Sequence, residues 1–135
     1  MTPKVIIDTN VWISCIFWKG SNPYKITKRV VRMEILTFFS DETFREWDEK
    51  VRNIAISFGA TDDYLFFRKN LLRLAKFVYP KEKIEICRDV KDNKFLEVAL
   101  VSEAEFVISG DLDLVSLKKF RNITIITPSK FLKLF

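Results

Sequence analysis

The sequence contains no histidine, and this absence removes whole classes of chemistry. Ser-His-Asp and Cys-His catalysis, histidine-ligated zinc and imidazole general-base catalysis all need that side chain. If the protein is an enzyme, then carboxylates, hydroxyls, lysines or a metal ion must carry the reaction. The acidic residues are therefore the first candidates for a functional site.

Cysteine is scarce as well, since only Cys15 and Cys87 are present. The two lie far apart in the sequence and do not form a metal-spaced pair, and a disulfide scaffold is not expected. Cys15 lies in an apolar stretch, and free cysteine is among the most buried residue types. We therefore expect Cys15 to pack in the core.

Long apolar runs are also missing. None approaches the ~20 residues that a membrane span needs, and the first residues lack a signal-peptide pattern. We expect a cytoplasmic protein with no membrane contact. Only three glycines and four prolines interrupt the chain, and we find no linker or internal repeat. With 135 residues, 48% of them hydrophobic, the sequence predicts one domain over residues 1–135 with a substantial core.

The formal net charge of +5 is compatible with a polyanionic partner but does not identify one. Basic side chains on the predicted helices are positioned either to follow RNA phosphates or to form ordinary solvated faces. They are Lys28, Arg29, Arg32, Arg45, Arg68, Lys69 and Arg73.

Short β-branched runs alternate with helical patterns along the chain, which predicts a central parallel sheet covered on both faces. We predict a three-layer α/β/α fold with about five strands, at residues 4–7, 35–39, 83–87, 106–108 and 123–126. Helices are predicted at 9–17 and 23–33, from Ser40 to Gly59, from a cap at 61–63 to Pro80, over 92–103, briefly within 114–119, and from Pro128 onward.

Acidic residues follow the apolar runs. Asp8 comes directly after the first predicted strand, and Asp111 follows the strand at 106–108. Glu46 and Asp92 lie on the helices after the other two strands. Carboxylates that converge at the carboxyl edge of a sheet repel each other unless a hard cation such as Mg²⁺ or Mn²⁺ is present. Each acid alone also has a simpler interpretation as a helix cap, a solvated helix residue or a turn residue.

The order and spacing of these residues resemble the PIN domain. The similar segments are Asp8-Thr9-Asn10, Ser40 to Glu46, Arg88-Asp89-x-x-Asp92-x-x-Phe95-Leu96-x-x-Ala99 and Ile108-Ser109-Gly110-Asp111-x-Asp113-Leu114. The final Ile125-Ile126-Thr127-Pro128-x-x-Phe131-Leu132 resembles more narrowly the subgroup of VapC-like ribonucleases, the toxin components of toxin–antitoxin systems.

This resemblance implies a ribonuclease that depends on Mg²⁺ or Mn²⁺. It implies an RNA substrate, an antitoxin partner and a homodimer. The four acids that would hold the metal are Asp8, Glu46, Asp92 and Asp111, supported by Thr9, Asn10, Ser109 and Asp113.

The identity of the second acid stays open, and the ionisation of Asp92 can also be predicted. Glu49 lies one helical turn from Glu46 and is the alternative second acid. Asp92 is predicted at a helix N-terminus, where the helix dipole is expected to keep it ionised.

Two other functions remain as alternatives. One is a catalytically silent PIN-fold module that binds RNA or a protein partner. The other is a phosphohydrolase with Asp8 as nucleophile, although Asn10 breaks the Asp-x-Asp signature of that class.

Two aromatic clusters also have open interpretations. Trp12, Phe17 and Trp18 either stack on bases or pack in the core or between subunits. Tyr64, Phe66 and Phe67 exceed one apolar stripe and suggest a homodimer surface.

Overall fold

A computed structural model of the chain describes residues 2–135 and contains one six-stranded sheet. The strands are β1 (Lys4–Ile7), β2 (Leu36–Phe39), β3 (Lys76–Phe77), β4 (Phe106–Ile108), β5 (Lys119–Phe120) and β6 (Ile123–Ile126). The helices are α1 (Thr9–Phe17), α2 (Asn22–Val31), α3 (Asp41–Phe58), α4 (Thr61–Leu74), α5 (Asn93–Ser102), α6 (Leu112–Val115) and α7 (Pro128–Leu134).

The strand order places β1 at the centre of the sheet. The order is β3-β2-β1-β4-β6-β5, and every neighbouring pair is parallel except β5 with β6. Val5 of β1 is opposite Thr37 on one side and Phe106 on the other. The chain thus leaves β1 toward one edge and later returns on its other side, which makes the carboxyl end of β1 a topological switch point. Asp8 follows β1 at this position.

Side chains of β1 alternate between two cores, which confirms the three-layer α/β/α fold. Val5 and Ile7 pack with the buried side chains of α1, α2, α3 and α4 on one face. Ile6 packs on the opposite face against the apolar side of α5. The largest fully buried side chains of the first core include Trp12, Trp47 and Phe131.

Several local predictions are confirmed. Ser40 caps α3 with a capping box, because its Oγ accepts from the N–H of Thr43 while Thr43 Oγ1 accepts from the N–H of Ser40. Gly59 ends this helix in the left-handed conformation, with φ at 64°. Cys15 is buried in the core.

The predicted strand at 83–87 is wrong. Residues 78–89 form no strand, and the strand that pairs with β2 is β3. In this segment the N–H of Ile84 donates to Glu97 Oε2, and the N–H groups of Ile86 and Cys87 donate to Asn93 Oδ1. Side chains of α5 therefore satisfy backbone donors that a neighbouring strand would otherwise satisfy.

Two further boundaries differ from prediction. The helix α4 begins at Thr61 with Ala60 as its N-cap and has no capping side chain, so residues 61–63 do not cap it. It ends at Leu74, well before Pro80, because Ala75 is extended and leads into β3. The six-stranded sheet therefore contains four of the five predicted strands, together with β3 and the antiparallel edge strand β5, which were not predicted. None of the helices in residues 2–135 is both long and apolar enough to cross a bilayer.

Candidate active site

Asp8 is fixed at the carboxyl end of β1 by three hydrogen bonds. Its Oδ1 accepts from the N–H of Asn10 at 3.1 Å, which caps α1, and its Oδ2 accepts from Ser109 Oγ at 2.8 Å. Its own N–H donates to the carbonyl oxygen of Ile108 at 3.0 Å. The carboxylate is buried. Its hydrogen bond from Ser109 and the backbone bond to Ile108 link the end of β1 to the end of β4.

Ser109 links Asp8 to the next acid. Its hydroxyl donates to Asp8 and accepts from the N–H of Asp111 at 3.0 Å. Asp111 in turn caps α6, because its Oδ1 accepts from the N–H of Asp113 at 2.9 Å. The turn after β4 thus brings Asp111 beside Asp8, as expected from the parallel sheet.

Glu46 reaches the same place from α3. Its Oε2 accepts a 2.6 Å hydrogen bond from Thr9 Oγ1. Its Oε1 lies 3.2 Å from Lys94 Nζ and 3.3 Å from Lys50 Nζ. Glu49, the alternative second acid, is exposed and lines the same surface groove as Glu46, without a contact to Thr9. The contact with Thr9 therefore favours Glu46 over Glu49.

Asp92 ends a 3-10 turn, Val90–Asp92, immediately before α5. Its side chain is buried, makes no capping hydrogen bond, and has one oxygen, Oδ2, with no partner. Burial, followed by the charges of Asp111, Asp8 and Asp89, raises the pKa of Asp92 to about 6. The helix dipole does not hold the pKa of Asp92 below its usual value, because burial and the neighbouring carboxylates outweigh it.

The other acids show the same electrostatic neighbourhood. Burial raises the pKa of Asp8 against the opposing hydrogen bonds from Ser109 and Asn10, and the charges of Glu46 and Asp111 raise it further. Burial also acts to raise the pKa of Glu46. The hydrogen bond from Thr9 and the charges of two lysines outweigh that effect, so its pKa is lowered. All four predicted acids therefore belong to one interacting group, which we call the acidic cluster: Asp8, Glu46, Asp92 and Asp111.

The supporting residues divide into inner and outer positions. Thr9 and Ser109 are buried and donate to acidic-cluster carboxylates. Asn10 is exposed and lines a cleft of about 330 Å³ together with Asp111. Asp113 is exposed, with its carboxylate 3.6 Å from Arg88, and lies at the rim rather than within the cluster.

The donor set suits a hard divalent cation, because carboxylate and hydroxyl oxygens are the ligands that Mg²⁺ and Mn²⁺ prefer. The unpartnered Asp92 Oδ2 fits such an ion. However, no three acidic or cysteine side chains in residues 2–135 stand together as a metal-binding group. Glu46 accepts a hydrogen bond from Thr9, which is compatible with metal binding, but it also pairs with Lys94, whose positive charge would oppose a cation at this carboxylate.

Sequence reasoning missed Lys94 and Asn93. Both lie in the first turn of α5 next to Asp92, and both are buried. The available signal was a lysine and an asparagine placed between a candidate acid and the apolar face of its helix. Pattern alone does not reveal that Lys94 faces Glu46, which lies on another helix.

The basic residues have different surroundings. Arg45 is exposed and lines a groove with Glu46 and Lys50. Arg68 instead pairs with Asp48 at 3.0 Å and lies over the Phe44 ring, which ties α4 to α3.

The aromatic clusters also divide. Trp12 is buried and stacks on Phe39, so core packing is its role, whereas Trp18 is exposed. Tyr64 is buried, and its hydroxyl donates a hydrogen bond to Asp48 Oδ1, so it does not belong to an exposed homodimer surface. Phe66 is exposed.

Comparison with known proteins agrees with this geometry. The family model for the PIN domain matches residues 4–113, a span that contains the whole acidic cluster. An uncharacterized protein of Methanocaldococcus jannaschii, MJ1680, is 31% identical over 142 residues, an alignment that covers 98% of this chain and 91% of that protein. The chain belongs to the PIN-domain family. PIN domains are generally nucleases, and the fold described above is of that nuclease-like kind.

Proposed function

We propose that the protein is a metal-dependent ribonuclease that hydrolyses RNA phosphodiester bonds in the cytoplasm. The observation that carries this proposal is the buried, unpartnered Oδ2 of Asp92 beside the charges of Asp111 and Asp8. Buried like charges destabilise one another unless a cation or a proton compensates them. A nuclease family and an acidic cluster at the switch point of the sheet both favour a metal ion as the compensating group.

Under this proposal, Asp8, Glu46, Asp92 and Asp111 would hold Mg²⁺ or Mn²⁺. A bound ion would lower the pKa of a coordinated water and neutralise negative charge on the phosphate. Ser109 and Thr9 keep two of these carboxylates in fixed orientations through their hydroxyl hydrogen bonds.

The chain also offers groups for the RNA itself. Arg45 and Lys50 line the groove beside Glu46, where they can contact phosphates. Asn10 lines the cleft beside Asp111, and its amide can orient a phosphate oxygen or a water.

The direct test is cleavage of a labelled single-stranded RNA pool in Mn²⁺, Mg²⁺ or EDTA. We expect cleavage only with a divalent ion. Asp8→Asn and Glu46→Gln should each lower the rate by roughly 100-fold, because even outer-shell partners of metal ligands typically contribute 10–100-fold. Asp62→Asn, at an exposed carboxylate of α4, is the control and should cleave at the wild-type rate. Glu49→Gln tests the alternative second acid and should keep metal-dependent cleavage.

Other outcomes would select another interpretation. Equal cleavage by wild type and Asp8→Asn would indicate a contaminating nuclease. Absence of both cleavage and stabilisation by Mn²⁺ would favour a catalytically silent binding module. Hydrolysis of small phosphate esters without RNA cleavage would favour the Asp8 phosphohydrolase, although both Asp8 oxygens already accept hydrogen bonds.

We further propose that this nuclease is the toxin of a toxin–antitoxin pair and forms a homodimer. The resemblance of the segment from Ile125 to Leu132 to that subgroup supports the toxin role. The exposed Leu65 and Phe66 of α4 support the homodimer.

Induced expression of the wild type should arrest growth, and expression of Asp8→Asn should not. Continued growth with a protein that cleaves RNA in vitro would reject the toxin role and keep the nuclease. An adjacent small gene for a DNA-binding protein would favour an antitoxin.

A further inference from the structure

Lys94 is the one basic side chain that is buried among residues 2–135, and it lies against the acidic cluster. It is the second residue of α5, directly after Asp92 and Asn93. Its Nζ lies 3.2 Å from Glu46 Oε1 and donates a 2.7 Å hydrogen bond to the carbonyl oxygen of Lys91. A cation of the protein itself therefore already occupies one side of the Glu46 carboxylate.

A second lysine contacts the same oxygen but lies in a different environment. Lys50 Nζ is 3.3 Å from Glu46 Oε1, yet its side chain is 49% exposed, whereas that of Lys94 is 10% exposed. Water screens an exposed ion pair strongly and a buried one much less. Lys94 should thus have the larger effect on Glu46, and Lys50 provides a control at almost equal distance.

Lys94 also stands where two surface grooves meet. One groove, of about 280 Å³, contains Arg45, Glu46 and Lys50, and the other, of about 570 Å³, runs along residues 80–85. Lys94 lines both grooves. The Lys94 side chain thus borders two solvent-accessible grooves as well as Glu46.

We propose that Lys94 is a built-in counter-cation of the acidic cluster, which neutralises Glu46 in the metal-free protein and competes with the divalent ion for that carboxylate. This inference rests on the proposed metal-dependent function. A divalent ion and an ammonium a few ångströms apart repel each other, so both cannot share Glu46 at full strength. Metal binding therefore requires the Lys94–Glu46 pair to lengthen or open. Lys94 is thus a positioning residue that acts on the site through Glu46.

Equilibrium Mn²⁺ binding without RNA, measured by titration calorimetry, tests the proposal independently of catalysis. Lys94→Met should bind Mn²⁺ about tenfold more tightly than wild type, because the Glu46 carboxylate loses the ammonium that competes with the ion for it. Lys94→Arg keeps the charge and should remain close to wild type. Lys50→Met should change the affinity by no more than about twofold, because that charge is screened by water.

A double-mutant cycle shows whether the effect passes through Glu46. In a Glu46→Gln background, Lys94→Met should alter the Mn²⁺ affinity by no more than about twofold, since the competing pair no longer exists. An equal gain in both backgrounds would overturn the proposal in favour of a diffuse charge effect. Circular dichroism would verify folding, and Lys94→Gln would replace Lys94→Met if the methionine variant did not fold.

The remaining outcomes separate this inference from the proposed function. Unchanged or weaker Mn²⁺ binding by Lys94→Met, with clear binding by wild type, would overturn the role of Lys94 and keep the metal site. Binding by Lys94→Met alone would support the role strongly. No binding by either protein would overturn both the role of Lys94 and the metal-dependent function.

Discussion

Asp92 and Glu46 are carboxylates of one cluster, yet their surroundings shift their pKa values in opposite directions. Asp92 has an unpartnered oxygen and nearby negative charges, whereas Glu46 has a hydroxyl donor and two ammonium groups. At the scale of single residues, the cluster thus contains one carboxylate on which nearby negative charges outweigh the charge of Lys94, and one that pairs with two lysines. A cation would therefore bind most readily at Asp92, whereas at Glu46 it would compete with Lys94.

The raised pKa of Asp92 predicts how the metal-free protein responds to pH. Between about pH 4 and pH 6 the folded state holds a proton on Asp92 that the unfolded state has lost. The stability from this group is therefore complete below about pH 4 and is lost as the pH rises through about 6. In EDTA at about pH 7.5, Asp92→Asn should be more stable than wild type by about 1 kcal/mol, a value reduced for solvent screening.

Urea unfolding at a series of pH values measures this difference. The advantage of Asp92→Asn should disappear toward about pH 4, where the wild-type carboxyl is protonated in both states. Asp62→Asn, at an exposed carboxylate in the first turn of α4, is the control and should show no comparable gain. A loss of stability in Asp92→Asn at neutral pH would contradict the assigned surroundings of Asp92.

The Ser109 hydroxyl predicts a second effect at this scale. Ser109→Ala removes the donor to Asp8 Oδ2 and the acceptor of the Asp111 N–H, so we expect RNA cleavage to fall by roughly 10–100-fold. Ser109→Thr keeps the hydroxyl and should retain most activity. Ser116→Ala, at an exposed serine just after α6, is the matched control in the same assay. Full activity in Ser109→Ala would show that Asp8 needs no support from the hydroxyl.

At the scale of elements, sequence prediction succeeded where the signals are local. Helix α3 carries a capping box at Ser40 and a terminal glycine, and β1 is a short β-branched run that the chain buries completely apart from its first residue. The prediction failed at 83–87, where alternation of apolar and polar residues resembles a strand. Whether such a segment joins the sheet depends on its distant partners, and here Asn93 and Glu97 of α5 supply them.

Asn93 therefore predicts the behaviour of the segment before α5. Asn93→Ala leaves the N–H groups of Ile86 and Cys87 without their acceptor, which should cost about 1–3 kcal/mol. Hydrogen exchange at these two amides should accelerate. Asn70→Ala removes one exposed side-chain hydrogen bond to Phe66 and is the control, with little change expected. Unchanged exchange in Asn93→Ala would mean that another group satisfies these amides.

At the scale of the whole molecule, the place of the candidate site was more predictable than its details. Parallel strands bring their carboxyl ends to one edge, so an acid after β1 and another after β4 must be neighbours. The position of Lys94 was not predictable, because its ion pair with Glu46 joins α5 to α3, which pack on opposite faces of the sheet. Local periodicity places a side chain on a face of its own helix, but it does not identify the residue that faces it from another helix.

The linkage between metal binding and folding provides the last prediction. If the acidic cluster holds a divalent ion only in the folded state, Mn²⁺ at 100 times its Kd should stabilise the protein by about 2.7 kcal/mol. For a chain of this length, that corresponds to a rise in Tm of about 10 °C in a thermal melt against EDTA. Asp92→Asn should reduce this rise, because it removes a carboxylate from the cluster, while Asp62→Asn should preserve it. A rise of equal size in wild type and Asp92→Asn would assign the Mn²⁺ effect to another part of the surface. The carboxylates that follow β1 and β4 would then need another cation, or a proton, to offset their repulsion.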